Sequence, residues 1–246
     1  VRQDPAASYW VTNDLDLADT VVWDYGRGWT PIGESLKPFI GTFDGGGHTI
    51  RNLTINRPRT SFQGFFQKVD GAELFNIRLQ DMVLQTGGNS GGLASEIRDN
   101  SILEKIEIDG SMISKEGSYV GGLVGIMQRS RLHRITVTAT VQGTSYTGGL
   151  IGSIASGGEI RYTHIAGSVQ GVDQVGGLVG YLGDGIPGIY DSYSRAAVHG
   201  AERVGGLIGQ IKTGKVERSY SAGPVSGTGD NVGGFIGQGA GTSVSD

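Results

Sequence analysis

Asp70 and Asp99 lie at matching places in the chain, six residues past Gly64, the single glycine of one segment, and seven past Gly92, the second glycine of a like one. If such segments stack as layers, the two carboxylates come within about one strand spacing, roughly 5 Å, the separation that retaining glycosidases use for nucleophile and acid/base. The column continues as Arg129, Ser156, Asp184 and Thr213, so it reads equally as a solvated corner where Arg129 keeps like charges apart. No third supporting group is visible. The reading is therefore no catalytic residue, with Asp70 and Asp99 as the alternative.

The densest positive cluster is Arg129, Arg131, His133 and Arg134. Guanidinium forks grip sulfate, carboxylate and phosphate with two bonds, so an acidic glycan could dock there; charge kept for solubility is the plainer reading. Asp14, Asp16 and Asp19 could face one side of a strand toward calcium, but the spacing of a calcium loop is missing. Asp81 and Asp109 are 28 residues apart, though Asp109 opens a turn with Gly110. Tyr190, Tyr193 and Tyr220 could stack on sugars or on one another, and Tyr193 and Tyr220 share a phase. No metal and no cofactor are expected.

What positions these residues is a repeat. Gly91-Gly92, Gly121-Gly122, Gly148-Gly149, Gly176-Gly177, Gly205-Gly206 and Gly233-Gly234 each open a GG-[LF]-x-[GS] motif, with steps between second glycines of 30, 27, 28, 29 and 28 residues. Gly64-Phe65-Phe66-Gln67 is an earlier, worn copy. Leu84, Ile113, Val141, Val169, Val198 and Val225 precede the motif at a near-constant distance, and Leu74, Ile102, Leu132, Ile160, Ile189 and Val216 form a second apolar series. Ile135 to Val141 alternates apolar and hydroxyl residues at period two. Each unit thus offers about three short strands, too few to bury an apolar face alone, whereas stacked units pair strand on strand. The fold class is all-β, a parallel β-solenoid of about eight coils and about 40 Å in length. The glycines are assigned to aligned corners that need a positive φ or close backbone approach.

Composition agrees. Glycine fills 45 of 246 positions, about 18% against a usual share of roughly 7%. The net charge of -4 gives no general attraction for phosphate backbones, so nucleic acid is a poor partner. No apolar run reaches the ~18 residues that span a bilayer, so no direct membrane insertion of this segment is expected. The absence of cysteine excludes disulfides and thiolate metal sites.

Ahead of the repeats stand Trp29-Thr30-Pro31-Ile32-Gly33 and the block from Pro38 to Ile55, in which Asp44 to Gly47 forms a turn feeding a strand from Thr49 to Ile55. Together with the six glycine motifs this block resembles the GLUG-repeat family of bacterial surface and secreted proteins. The resemblance implies an extracellular or cell-surface location and a stalk or binding role. Such repeats also accompany immunoglobulin A1 metalloproteases as non-catalytic regions, and none of His48, His133, His164 or His199 lies in a His-Glu-x-x-His zinc motif.

The expected organisation is one continuous domain, with residues 1–60 as lead-in and first coil and 61–246 as six to seven repeats, truncated at the carboxyl end. Flanking domains of a longer chain are expected. The expected function is a non-catalytic segment of an exported adhesin-like protein, a stalk or a recognition surface for a host-surface or matrix protein or glycan. A β-helical carbohydrate-active enzyme is the rival, and an accessory region of a secreted protease is the third reading.

Overall fold

A computed structural model describes residues 1–114 and 116–240, together with the backbone of 242–245. The chain winds into a parallel β-solenoid whose walls are three sheets of seventeen, six and seven strands. Within the sheets each strand pairs in parallel with its counterpart one coil along. The seven-stranded wall counts about seven full turns, and parallel bridges from Ile32 to Phe66 and from Phe39 to Val69 extend it by a partial layer at the amino end.

Burial follows register. The motif leucines Leu93, Leu123, Leu150, Leu178 and Leu207 are all fully buried and form one internal column. Their backbones are bonded coil to coil, Leu123 N–H to Leu150 C=O at 2.9 Å and Leu150 N–H to Leu178 C=O at 2.9 Å. A column of aliphatic side chains on aligned strands buries apolar surface against like residues above and below, so every coil depends on its neighbours.

Two of the expected apolar columns are each corrected at one member. Leu84 pairs with Met112 and Met112 with Val141, so Met112 is the buried residue and Ile113 is half-exposed. Leu103, not Ile102, stands between Leu74 and Leu132. Within the long strands Glu73–Thr86 and Ile102–Ser114, three steps from Leu79 to Met82 oppose two from Ile108 to Gly110. Asp81 is part of that bulge, with φ 52°, so Asp81 and Asp109 are not equivalent positions. The expected strand from Thr49 to Ile55 is broken at Asn52, φ 61°, into Thr49–Arg51 and Thr54–Arg57.

The corners also differ from expectation. None of the motif glycines has a left-handed φ; that conformation falls to glycines outside the motif, such as Gly71, Gly157 and Gly185, and to other residue types. Asn76, Lys105, Arg134, Tyr162, Asp191 and Arg218 form one column of left-handed corners, with φ between 47° and 57°. Tyr119, Tyr146, Gln174 and Arg203 form a second. A single left-handed residue turns the wall sharply at a cost of about 1–2 kcal/mol, which packing of the flanking strands offsets. The motif glycines from Gly91 to Gly233 instead answer to close approach. At Gly149 a Cβ would press on the carbonyl oxygen of Gly177 and lie 2.6 Å from Cγ2 of Ile165.

The amino-terminal region begins with Ser8–Trp10, which pairs with Thr42–Asp44, and Leu15–Asp16, which pairs with Thr49–Arg51. A 3-10 turn, Ala18–Val22, leads to the Trp23, Trp29 and Phe65 rings, which stack in sequence at 6.3 and 5.1 Å between centroids.

Candidate functional site

Asp70 ends the strand Phe66–Asp70, and Asp99 takes the left-handed corner just after Ala94–Arg98. Register sets Asp70 opposite Arg98, one residue short of Asp99, yet the two carboxylates remain neighbours. Burial, and then the adjacent Asp99, push the Asp70 carboxyl above its ordinary value, while a hydrogen bond from Arg129 holds Asp99 below its own. Glu96, half-buried beside them, is also pushed up, chiefly by burial. Divergent values in adjacent carboxyls are what acid/base chemistry requires. Both groups are nevertheless tied to guanidinium groups. Arg129 bonds Asp99, and Arg98 lies 3.7 Å from Asp70 and 3.4 Å from Glu96. The expected column is interrupted as well, because Ser156 pairs with Gln128 and leaves Arg129 one residue beyond it.

The basic cluster does not converge on one point. Arg129 and Arg134 occupy different left-handed corners, φ 43° and 57°. His133 and Arg134 both reach Glu104, at 3.6 and 3.7 Å. Arg131 opens the strand Arg131–Gln142, exposed, with Glu159 opposite it in register. Arg129, His133 and Arg134 thus each lie against an acid one coil away. The same device recurs in Arg78–Glu107 at 2.8 Å and Arg218–Asp191 at 2.6 Å.

Asp14 and Asp16 are likewise committed. Asp14 accepts from the backbone N–H of Thr49 at 3.0 Å and faces His48, and Asp16 accepts from Asn52 at 2.9 Å and Arg51 at 3.1 Å. Asp19 lies in the 3-10 turn. Among the described residues no group of three metal-ligating side chains is assembled, and no helix is long and apolar enough to cross a membrane. Tyr193 and Tyr220 stack at 4.9 Å and 6°, with His164 stacked on Tyr193 at 5.3 Å, and Arg161 covers the ring of Tyr190 at 4.1 Å. These rings are engaged with their neighbours.

A concavity that the sequence reading missed lies on the seven-stranded wall. It encloses about 530 Å³ between two columns. One is the corner carrying Tyr119 and Tyr146, whose rings stack at 4.5 Å and 2°. The other runs Ile126, Ser153, Tyr181, Gln210 and Gln238, successive partners in register. Tyr181 meets Tyr146 edge to face at 5.7 Å. Gln174 donates to Gln210, and Gln210 Nε2 to Gln238 Oε1 at 2.8 Å. Lys212 on the rim is paired with Asp184 at 2.9 Å. Burial, and then the phenol of Tyr146, push the Tyr119 hydroxyl above its ordinary value. Tyr119 and Tyr146 are 27 residues apart in the chain, and that spacing was the signal available in the sequence.

Known proteins place these features in context. No protein-family model matches the chain, so the likeness to GLUG repeats rests on the motifs themselves. Halomucin of Haloquadratum walsbyi is 36% identical over 124 residues, 48% of this chain, and the match spans about 1% of Halomucin's own length. The crystal structure of "a putative immunoglobulin A1 protease" from Bacteroides ovatus matches over 97% of this chain and 77% of its own, with a TM-score of 0.66 and 18% identity. At that identity the second likeness is one of fold: this chain shares its parallel solenoid.

Proposed function

We propose that the chain is a non-catalytic segment of an exported surface protein, serving as a stiff rod that holds a recognition surface for a host or matrix ligand. The observation that carries this reading is the outer wall itself, where charges are matched coil against coil and the candidate acid pair is bound by Arg98 and Arg129. Similarity to Halomucin supports a surface protein, and the Bacteroides ovatus neighbour supports the solenoid architecture of the rod. A rod of paired coils transmits position without hinges, because each coil contacts only its two neighbours through continuous strands.

The second reading, a carbohydrate-active enzyme of β-helical fold, draws on the divergence between Asp70 and Asp99. Reducing-end release from a polysaccharide panel, measured on the wild type and on Asp70→Asn and Asp99→Asn, separates the two. The expected result is no turnover by any of the three. Sustained turnover that either substitution abolishes would defeat the non-catalytic reading. Display on the producing cell is checked by antibody labelling of intact cells, and labelling only after lysis would defeat the surface assignment.

A further inference from the structure

We propose that the Tyr119–Tyr146–Tyr181 groove binds a neutral, linear oligosaccharide laid along the rod axis. This deepens the recognition role proposed above and rests on it.

The lining sets the ligand chemistry. Tyr119, Tyr146 and Tyr181 also pack on one another, but they line a concavity and stay half-exposed, and the ring surface left open to the groove is the partner that the apolar C–H face of a pyranose ring packs against. Gln174, Gln210 and Gln238 supply amides spaced one coil apart, joined head to tail so that each chain of bonds fixes the amide orientation. Gln210 Oε1 accepts from both Gln174 and Arg203 and its Nε2 donates to Gln238, which leaves it one N–H, while Gln174 keeps its carbonyl oxygen and Gln238 its two N–H donors for vicinal hydroxyls. Ser153 lies in the floor between Ile126 and Tyr181, where a short side chain deepens the groove. Tyr119 keeps its proton well above neutral pH and so remains a donor.

Charge excludes the alternatives. The cations that reach this groove are spent, Lys212 on Asp184 and Arg203 on Asp173. A polyanion would find no uncompensated positive charge along this lining, and the whole chain is net negative. A peptide adding as a strand needs an unpaired sheet edge, whereas the groove lies on the face of a wall whose strands are paired on both sides from Val124–Gln128 to Ile208–Ile211. Repetition selects a polymer. Side chains from successive coils line the groove, and a hexose unit is about as long as one coil is tall, so a linear glycan presents a fresh face to each layer.

The test is titration of the protein with hexameric β-1,4-glucan, β-1,3-glucan, α-1,4-glucan and β-1,4-mannan, with oligogalacturonate as the anionic comparison, by calorimetry. At least one neutral hexamer is expected to bind, more tightly than oligogalacturonate, without being cleaved. Tyr146→Ala and Tyr181→Ala should each weaken it by about tenfold, and Gln210→Ala by several-fold. Tyr193→Ala, on another wall, should leave it unchanged. Because Tyr146→Ala could disturb its corner, Tyr146→Gly keeps the left-handed backbone while removing the ring, and thermal unfolding reports the fold of each variant. No binding by any neutral hexamer, tighter binding of oligogalacturonate, or neutral binding untouched in folded Tyr146→Gly and Tyr181→Ala would each overturn the proposal. Failure here leaves the non-catalytic rod standing, whereas cleavage of a bound hexamer that still requires the tyrosines defeats the rod reading and keeps the groove.

Discussion

Asp70 and Asp99 stand beside one another on successive coils with opposite protonation tendencies, Asp70 pushed up by burial and by its neighbour, Asp99 held down by Arg129. Linkage gives the sign. A carboxyl raised in the folded state favours folding when protonated, and that contribution is lost as pH rises from the ordinary carboxylate value through the raised one. Asp70→Asn should therefore raise the urea midpoint at neutral pH, with the gain vanishing below about pH 3.5, where both states are protonated. An equal gain at both pH values would show that charge is not the cause.

The close packing of the motif glycines predicts a contrast between two copies of one motif. At Gly206 a Cβ would press on the Gly234 carbonyl and the Ser221 hydroxyl, while at Gly234 nothing among the described residues lies within 4 Å. Gly206→Ala is expected to cost about 2 kcal/mol or more in chemical denaturation, as overpacking does. Gly234→Ala should fall within about 0.5 kcal/mol of the wild type.

Left-handed corners occupied by ordinary residues predict a stabilising change. Lys105 is exposed with φ 53°. Lys105→Gly removes the steric cost and should add roughly 0.5–1 kcal/mol after the entropy of glycine is subtracted. Lys105→Val should do the reverse, since a β-branched side chain tolerates that backbone least. Thermal unfolding of the pair is the measurement, and a destabilised glycine variant would contradict the account.

Self-neutralisation of the basic cluster predicts weak adhesion to polyanions. The wild type should leave a heparin column at low salt, because Asp99 and Glu104 occupy Arg129, His133 and Arg134. The double substitution Asp99→Asn, Glu104→Gln should elute at distinctly higher salt. Tight retention of the wild type would restore these four residues as a ligand site.

Stacking of Tyr193 on Tyr220 should appear as a coupling of about 0.5–1.5 kcal/mol in a double-mutant cycle with alanine. A coupling indistinguishable from zero would remove the ladder as a source of stability.

Much of this architecture is legible in the sequence, because a period near 28 residues has one physical consequence, coils of equal circumference in register. The glycine pairs, the motif leucines and the Tyr193–Tyr220 stack follow directly. What was not legible depends on single-residue insertions. The bulge at Asp81 and the shift between Gln128 and Ser156 move a side chain from one column to the next, so Ile102, Ile113 and Arg129 were placed one step out. The left-handed corners were hidden for another reason. Lys105, Arg134, Tyr162 and Arg218 carry no glycine or asparagine signature, and tertiary packing imposes the conformation. The groove was missed because Tyr119 and Tyr146 come from one column and Tyr181 from another, and only the folded wall brings them together.

Equivalent glycines at Gly148 and Gly176 carry one further implication, for how such a gene changes length. Excision of residues 149–176 joins Gly148 to Gly177 and regenerates an intact motif, with Leu178 taking the berth of Leu150 above Leu123. Unequal exchange between repeats would then shorten or extend the protein by whole storeys of about 4.8 Å, each variant meeting its neighbours through matching surfaces, so reach becomes a heritable trait that can drift in fixed increments without inventing a new fold.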